Sequence, residues 1–139
     1  MSFEKLNEAS INNKHDRSCI LVVNFNKKES SIVKNVGRLV GIKDCIFLES
    51  KNGQSKIEEI LNDEVMSDGE DTWTNKAIIF NNIDQMKING FLESLKKMKI
   101  ARPLSAMVTE TTIDWTLNKL VYNLLEERKA LKSGTTLKH

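Results

Sequence analysis

Residues 76–109, Lys76-Ala-Ile-Ile-Phe80-Asn-Asn-Ile-Asp84-Gln-Met-Lys-Ile-Asn-Gly-Phe-Leu-Glu-Ser-Leu-Lys-Lys-Met-Lys-Ile100-Ala-Arg-Pro103-Leu-Ser-Ala-Met-Val-Thr109, decide the fold. Lys76 to Phe80 is a short, continuous apolar run ending in Asn81-Asn82, which suits a strand covered on both faces. The period then changes. Ile88, Phe91, Leu92, Leu95 and Met98 make one apolar stripe of a helix that Asp84 can cap. The chain's only proline, Pro103, leads a second apolar run from Leu104 to Thr109. Strand, helix, strand within this length is a parallel crossover unit.

The same pattern extends in both directions. Upstream, Cys19-Ile-Leu-Val-Val23 is an apolar strand ending in Asn24-Phe25-Asn26. Ile32, Val33, Val36, Leu39 and Val40 then lie on one helical face, with Ser30 or Ser31 as candidate caps and Gly41 at the C-terminal stop. Cys45 to Leu48 is another strand. Ser55-x-x-Glu58 is a capping-box pattern opening a short helix with Ile57, Ile60 and Leu61 on one side. Residues 62–75 hold five acids and a glycine and form the longest loop. Downstream, Thr111 or Thr112 caps a last long helix that buries Ile113, Leu117, Leu120, Val121, Leu124 and Leu125.

Regular β-α alternation predicts a three-layer α/β fold: a four-stranded, mostly parallel sheet with helices on both faces. The flavodoxin- or receiver-like order 2-1-3-4 is expected. Residues 1–17 read as a mobile N-terminal arm, 18–129 as a single domain and 130–139 as a frayed tail. No internal repeat is visible.

The chain has 139 residues, 40% hydrophobic and 29% charged, which is one ordinary domain's worth. No apolar run is long enough to span a membrane and no signal peptide is apparent, so a cytoplasmic location is expected. A formal charge of +2 lacks the basic footprint of a dedicated nucleic-acid binder. Cys19 and Cys45 match no metal or CxxC spacing and read as buried, reduced thiols. His15 and His139 both fall in expected tails, which argues against histidine-based metal or catalytic chemistry.

In an open parallel sheet a ligand sits beyond the carboxyl ends of the strands, at the switch point. That rule would bring Asn24 and Asn26 beside Asn81 and Asn82, with Thr109 and Glu110 coming in from the fourth strand. Trp115 would stand at the rim as core aromatic or partner anchor. Amides and hydroxyls recognise ligands but make poor acids, bases or nucleophiles by themselves. The first strand–helix turn has no glycine, and neither a dinucleotide fingerprint nor a phosphate loop is present. Gly53 reads as a turn residue. The acidic loop lacks the spacing of a calcium loop. Lys96, Lys97, Lys99 and Arg102 suit a helix C-terminus better than a phosphate patch.

Residues 76–109 resemble the middle of a response-regulator receiver domain. Asn81 stands where that family has its phosphorylated aspartate, and Asn24, Phe25 and Asn26 replace its acidic pair. The resemblance therefore implies a degenerate receiver, unable to form an acyl phosphate or hold magnesium. A second resemblance rests on ILVVNF, AIIFNNID and PLSAMVTETTIDWTLNKLVYNLLEER, in this order over residues 19–129. These are similar to a family of small α/β proteins of low-GC Gram-positive bacteria, known only as a domain of unknown function. It implies a compact α/β domain and no catalytic residue. The composite expectation is a non-enzymatic binding or regulatory module with no cofactor and no metal, serving an unidentified protein partner or small ligand. A degenerate interaction domain is the first alternative. A small-molecule enzyme, for which Glu49 and Glu110 are the available carboxylates, is the second. A homodimer and a monomer are both compatible with the sequence.

Overall fold

The computed structural model describes residues 16–133. Most of the expected arm and the last six residues of the expected tail lie outside that range. The elements are β1 (Cys19–Val23), α1 (Lys27–Val40), β2 (Cys45–Leu48), α2 (Ile57–Leu61), β3 (Ala77–Asn81), α3 (Gln85–Lys97), β4 (Leu104–Met107) and α4 (Leu117–Ser133). Single 3-10 turns occupy Ser50–Asn52 and Thr112–Asp114.

The strands form one open sheet in the order β2-β1-β3-β4, as expected. β1 pairs in parallel with β2, and β3 with β4. The central pair, β1 with β3, is antiparallel, with Leu21 opposite Ile79. Two-sided burial explains the unbroken apolar runs. Every residue of β1 and β3 is buried, and each large apolar side chain so placed contributes about 1.5–3 kcal/mol. One face carries α1 and α3 around Val33, Val36, Phe80, Ile88 and Phe91. Phe80 and Phe91 meet edge to face with ring centroids 5.8 Å apart. The other face carries α2 and α4 around Leu21, Ile57, Ile79, Leu117 and Leu120.

The central reversal has a local cause. After α2 ends at Leu61, residues 62–76 retrace the α2/α4 side of the domain and enter β3 beside Val23, the end where β1 leaves the sheet. Bonds from Asn24 and from residues 50–55 hold this linker. Met66 donates from its backbone to Ser55 Oγ, and Asn52 Nδ2 donates to Met66 O. Gly69 N donates to Lys51 O, and Ser50 Oγ donates to Asp71 O. Asn24 Nδ2 donates to the carbonyls of Trp73 and Asn75. A receiver-like sheet, with its strands all running one way, is thereby excluded for the central pair.

The reversal exposes a duplication that the sequence reading missed. β1-α1-β2-α2 and β3-α3-β4-α4 are two copies of one unit, related by a twofold axis through the Leu21–Ile79 pair. The correspondence is residue by residue. Asn24 and Asn82 both have positive φ (64° and 58°) just after their strands. Asn26 caps α1 and Asp84 caps α3 through the same backbone bond three residues on. Gly41 and Lys99 both turn into the left-handed region, and Ile42 and Ile100 are buried behind them. Asn52 Oδ1 accepts from Glu49 N as Thr112 Oγ1 accepts from Thr109 N. Ile57 N donates to Trp115 O and Leu117 N to Ser55 O, a pair of bonds that the axis exchanges.

Several local expectations shift with it. The first helix begins at Lys27 under an Asn26–Glu29 capping box, not at Ser30 or Ser31. Ser55 is buried and bonded to Met66, while Glu59 Oε1 accepts from Lys56 N at the start of α2. Thr112 belongs to the 3-10 turn, and Thr116 Oγ1 accepts from Lys119 N at the start of α4.

Candidate functional site

The twofold separates the residues that a switch-point crevice would unite. Cys19 lies opposite Asn81 and Val23 opposite Ala77, so β1 and β3 end at opposite ends of the sheet. Asn24 and Asn26 therefore stand at one end, and Asn81, Asn82, Thr109 and Glu110 at the other. The expected single crevice does not exist, because its geometry requires parallel central strands.

The β1/β2 end is filled by the chain itself. The half-buried Asn24 side chain accepts from Ser50 N and donates to Trp73 O and Asn75 O, so its amide is spent on the linker. Asn26 is used in the capping box. Trp73 Nε1 donates to Asn118 Oδ1 at 2.7 Å, and Asn118 Nδ2 donates to Asp71 Oδ2 at 2.8 Å. Lys76 Nζ pairs with Glu29, holding the Glu29 carboxyl below the usual carboxylate range, and also lies over the Phe25 ring. What remains open there is a shallow rim of about 420 Å³ that includes Asn24, Phe25, Glu49 and Trp73.

At the β3/β4 end, Asn81, Val108, Thr109, Glu110 and Ile113 surround a depression of about 360 Å³. Its base is apolar, since Ile113 is buried and Val108 packs against the core. Thr109 and Thr112 bond each other through backbone and hydroxyl, which fixes the turn that presents Glu110. Asn81 is buried and donates to Arg17 O; Asn82 donates to Asp16 O and Ser18 Oγ. Arg17 anchors the entry into β1. It pairs with Asp44 and Asp63 and donates to Leu61 O, and the bond to Asp44 holds its guanidinium above its ordinary pKa.

Trp115 is not an exposed anchor. It is half-buried against the α2/α4-side core, its carbonyl accepts from Ile57 N, and Lys119 Nζ lies 4.5 Å from its ring centroid. Glu49 and Glu110 lie at opposite ends of the sheet and cannot act as a pair on one substrate. Among the described residues, no three His, Cys, Asp or Glu side chains gather to hold a metal. Cys19 is buried and Cys45 half-buried, both free; burial pushes the Cys19 thiol up to about 12 and raises that of Cys45.

Two further depressions are counterparts under the twofold. One of about 480 Å³ lies against α3 and β4 and includes Leu92, Lys96, Ile100 and Arg102; the other, of about 350 Å³, is lined by Lys34, Arg38, Lys43 and Cys45. Lys96 and Arg102 of the basic group thus share a cleft that the sequence could not delimit. Ile42 is followed by two residues before Cys45, whereas Ile100 is followed by four before the equivalent Ser105, and the two extra residues fall at the larger cleft, the one against α3 and β4.

These features define a duplicated β-α-β-α domain with one end closed by its own linker. Residues 76–131 match the family described as Domain of unknown function (DUF3783). That segment is the second unit, from the residue before β3 into α4. No curated protein and no solved structure matches the chain. No helix among the described residues is long and apolar enough to cross a membrane.

Proposed function

We propose that this protein is a non-enzymatic binding or regulatory module of the cytosol, and that its binding site is the β3/β4 end of the sheet. The observation that carries this reading is the difference between two equivalent ends. The β1/β2 end is packed with the backbone of residues 66–75. At the β3/β4 end, Asn81, Val108, Thr109, Glu110 and Ile113 leave a depression with an apolar base and a polar rim. Such a surface recognises a ligand through shape and a few directed hydrogen bonds. Among the described residues, the Glu110 carboxylate stands beside threonine hydroxyls and the Asn81 amide, a set that supports recognition better than bond-making. Two free thiols suit a reducing compartment.

Native mass spectrometry of the protein isolated from its own host, compared with its denatured mass, tests the reading. A bound species is expected on the wild type and on Asn24→Gly, and is expected to be lost from Val108→Arg, which fills the depression. A species that survives Val108→Arg, or a bare chain in every case, overturns it.

A further inference from the structure

The two copies of the repeated unit turn differently from their crossover helix into the edge strand. In the first, Ile42 N donates to Gly37 O at 2.6 Å, and a Cβ on Gly37 would lie 2.6 Å from Ile42 O, so this turn closes only on glycine. Leu95 is the counterpart of Gly37, and the same bond, from Ile100 N to Leu95 O, is 3.1 Å long. The leucine holds the second turn away from its helix, and two extra residues complete the passage to Ser105. The cleft of about 480 Å³ opens there, where β4 enters the sheet and at the opposite end from Val108. We propose that this cleft is a second binding site, for a small amphiphilic anion: a hydrocarbon body carrying one carboxylate. The inference goes beyond the reading of the β3/β4 end and does not depend on it.

The floor fits the hydrocarbon. Leu95, Ile100 and Pro103 are buried and Leu92 is half-buried. Under the twofold Leu92 and Lys96 correspond to Lys34 and Arg38, which line the first unit's smaller cleft beside Lys43 and Cys45. The second cleft thus has leucine in place of one cation and keeps the other. Its volume lies in the range of small-molecule sites, about 300–1,000 Å³.

The rim fits the carboxylate. Arg102 lies beyond the end of α3 at Lys97, so the helix dipole does not account for it. Pro103 restricts Arg102 to extended backbone, and the Arg102 carbonyl accepts from Arg128, so its guanidinium stands on a fixed support. Among the described residues, neither the Lys96 nor the Arg102 side chain is paired with a carboxylate. A guanidinium fork takes a carboxylate through two parallel bonds. Glu93 stands on the same rim, so the lining carries one excess positive charge, which a single carboxylate balances.

The test titrates decanoate into the full chain, followed by amide nitrogen and proton shifts. Glu93, Lys96 and Arg102 are exposed, so an occupant exchanges and dialysis empties the cleft beforehand. Saturable shifts confined to residues 92–103 are expected. Arg102→Glu is expected to weaken binding by about tenfold or more, with Arg102→Lys between it and the wild type. Ala101→Trp, at an exposed lining position, is expected to abolish binding. Unchanged shifts elsewhere show that these variants remain folded. Arg38→Glu, at the counterpart of Lys96, and Val108→Arg, at the other site, are expected to leave the affinity unchanged. Decyltrimethylammonium, with the same chain and the opposite charge, is expected not to bind. No saturable shift at residues 92–103, an affinity that Arg102→Glu or Ala101→Trp leaves unchanged, or equal binding of the cation overturns the inference. Loss of decanoate binding in Val108→Arg assigns it to the β3/β4 end and overturns the inference as well.

Discussion

Leu21 and Ile79 face each other across the antiparallel β1–β3 ladder, and the axis that exchanges the two halves of the chain passes between them. Each is fully buried on the α2/α4 side of the sheet. The central ladder is therefore an internal version of an isologous interface, in which one surface pairs with an equivalent copy of itself.

Residues 76–133 alone are expected to form a symmetric homodimer, with β3 pairing antiparallel to its copy and Ile79 opposite Ile79. The exposed edge of β3 would otherwise leave a row of unpaired backbone groups. Sedimentation equilibrium and circular dichroism check this. A folded dimer is the expected result, and Ile79→Glu is expected to leave an unfolded monomer.

Asn24 sits at φ 64° and bonds to three backbone groups. Asn24→Ala loses those bonds and forces alanine into the left-handed region, for a loss of about 2–4 kcal/mol. Asn24→Gly loses the bonds but not the conformation and should retain about 1 kcal/mol more. Urea unfolding of the two variants beside the wild type measures the difference.

Strand identity and order were legible because two-sided burial writes continuous apolar runs, as in Cys19–Val23 and Ala77–Asn81. Strand direction was not, since buried parallel and antiparallel strands carry the same pattern and only the path of residues 62–76 distinguishes them. The candidate site inherited that ambiguity: Asn24 and Asn81 were placed together by a parallel-sheet rule that the central pair does not obey. The duplication did leave a trace. Asn24-Phe25-Asn26 and Asn82-Ile83-Asp84 share a left-handed asparagine followed two residues later by a helix cap. Apolar identities drift freely between the copies, because core positions require volume and not a particular side chain. The three residues of this turn are held by backbone geometry and are the signal that could have found it.

Glu29 accepts from Asn26 N and pairs with Lys76, tying α1 to the entry of β3. Its folded pKa is lowered, chiefly by Lys76, so its stabilising contribution is present above the unfolded carboxylate value and is lost as pH falls through the lower folded value. Glu29→Gln should cost about 0.5–1 kcal/mol at neutral pH. Chemical denaturation between pH 7 and pH 3 should show this gap holding to near pH 5 and closing below about pH 4.

Cys19 and Cys45 should resist alkylation in the native state. Burial raises both thiol pKa values, leaving little thiolate at pH 8, and Cys19 is wholly enclosed. Mass-resolved iodoacetamide labelling is expected to modify Cys45 first, with Cys19 following only as the chain unfolds in denaturant.

Asn118 clamps the linker from α4, receiving Trp73 Nε1 and donating to Asp71 Oδ2. Asn118→Ala takes the acceptor from the indole N–H, removes one of the two donors to Asp71 Oδ2 (Gln54 Nε2 is the other), and opens space above Gly53, whose Cα faces the Asn118 amide. The loss falls on a segment held mainly by hydrogen bonds, so the linker should open locally while the sheet stays folded. Global stability should drop by about 1–2 kcal/mol. A glutamate-specific protease, which cuts after Glu64 and Glu70, should cleave the variant about tenfold faster than the wild type, because cleavage follows the population of the open segment. Trp73 fluorescence should shift to the red over the same denaturant range in which that cleavage accelerates.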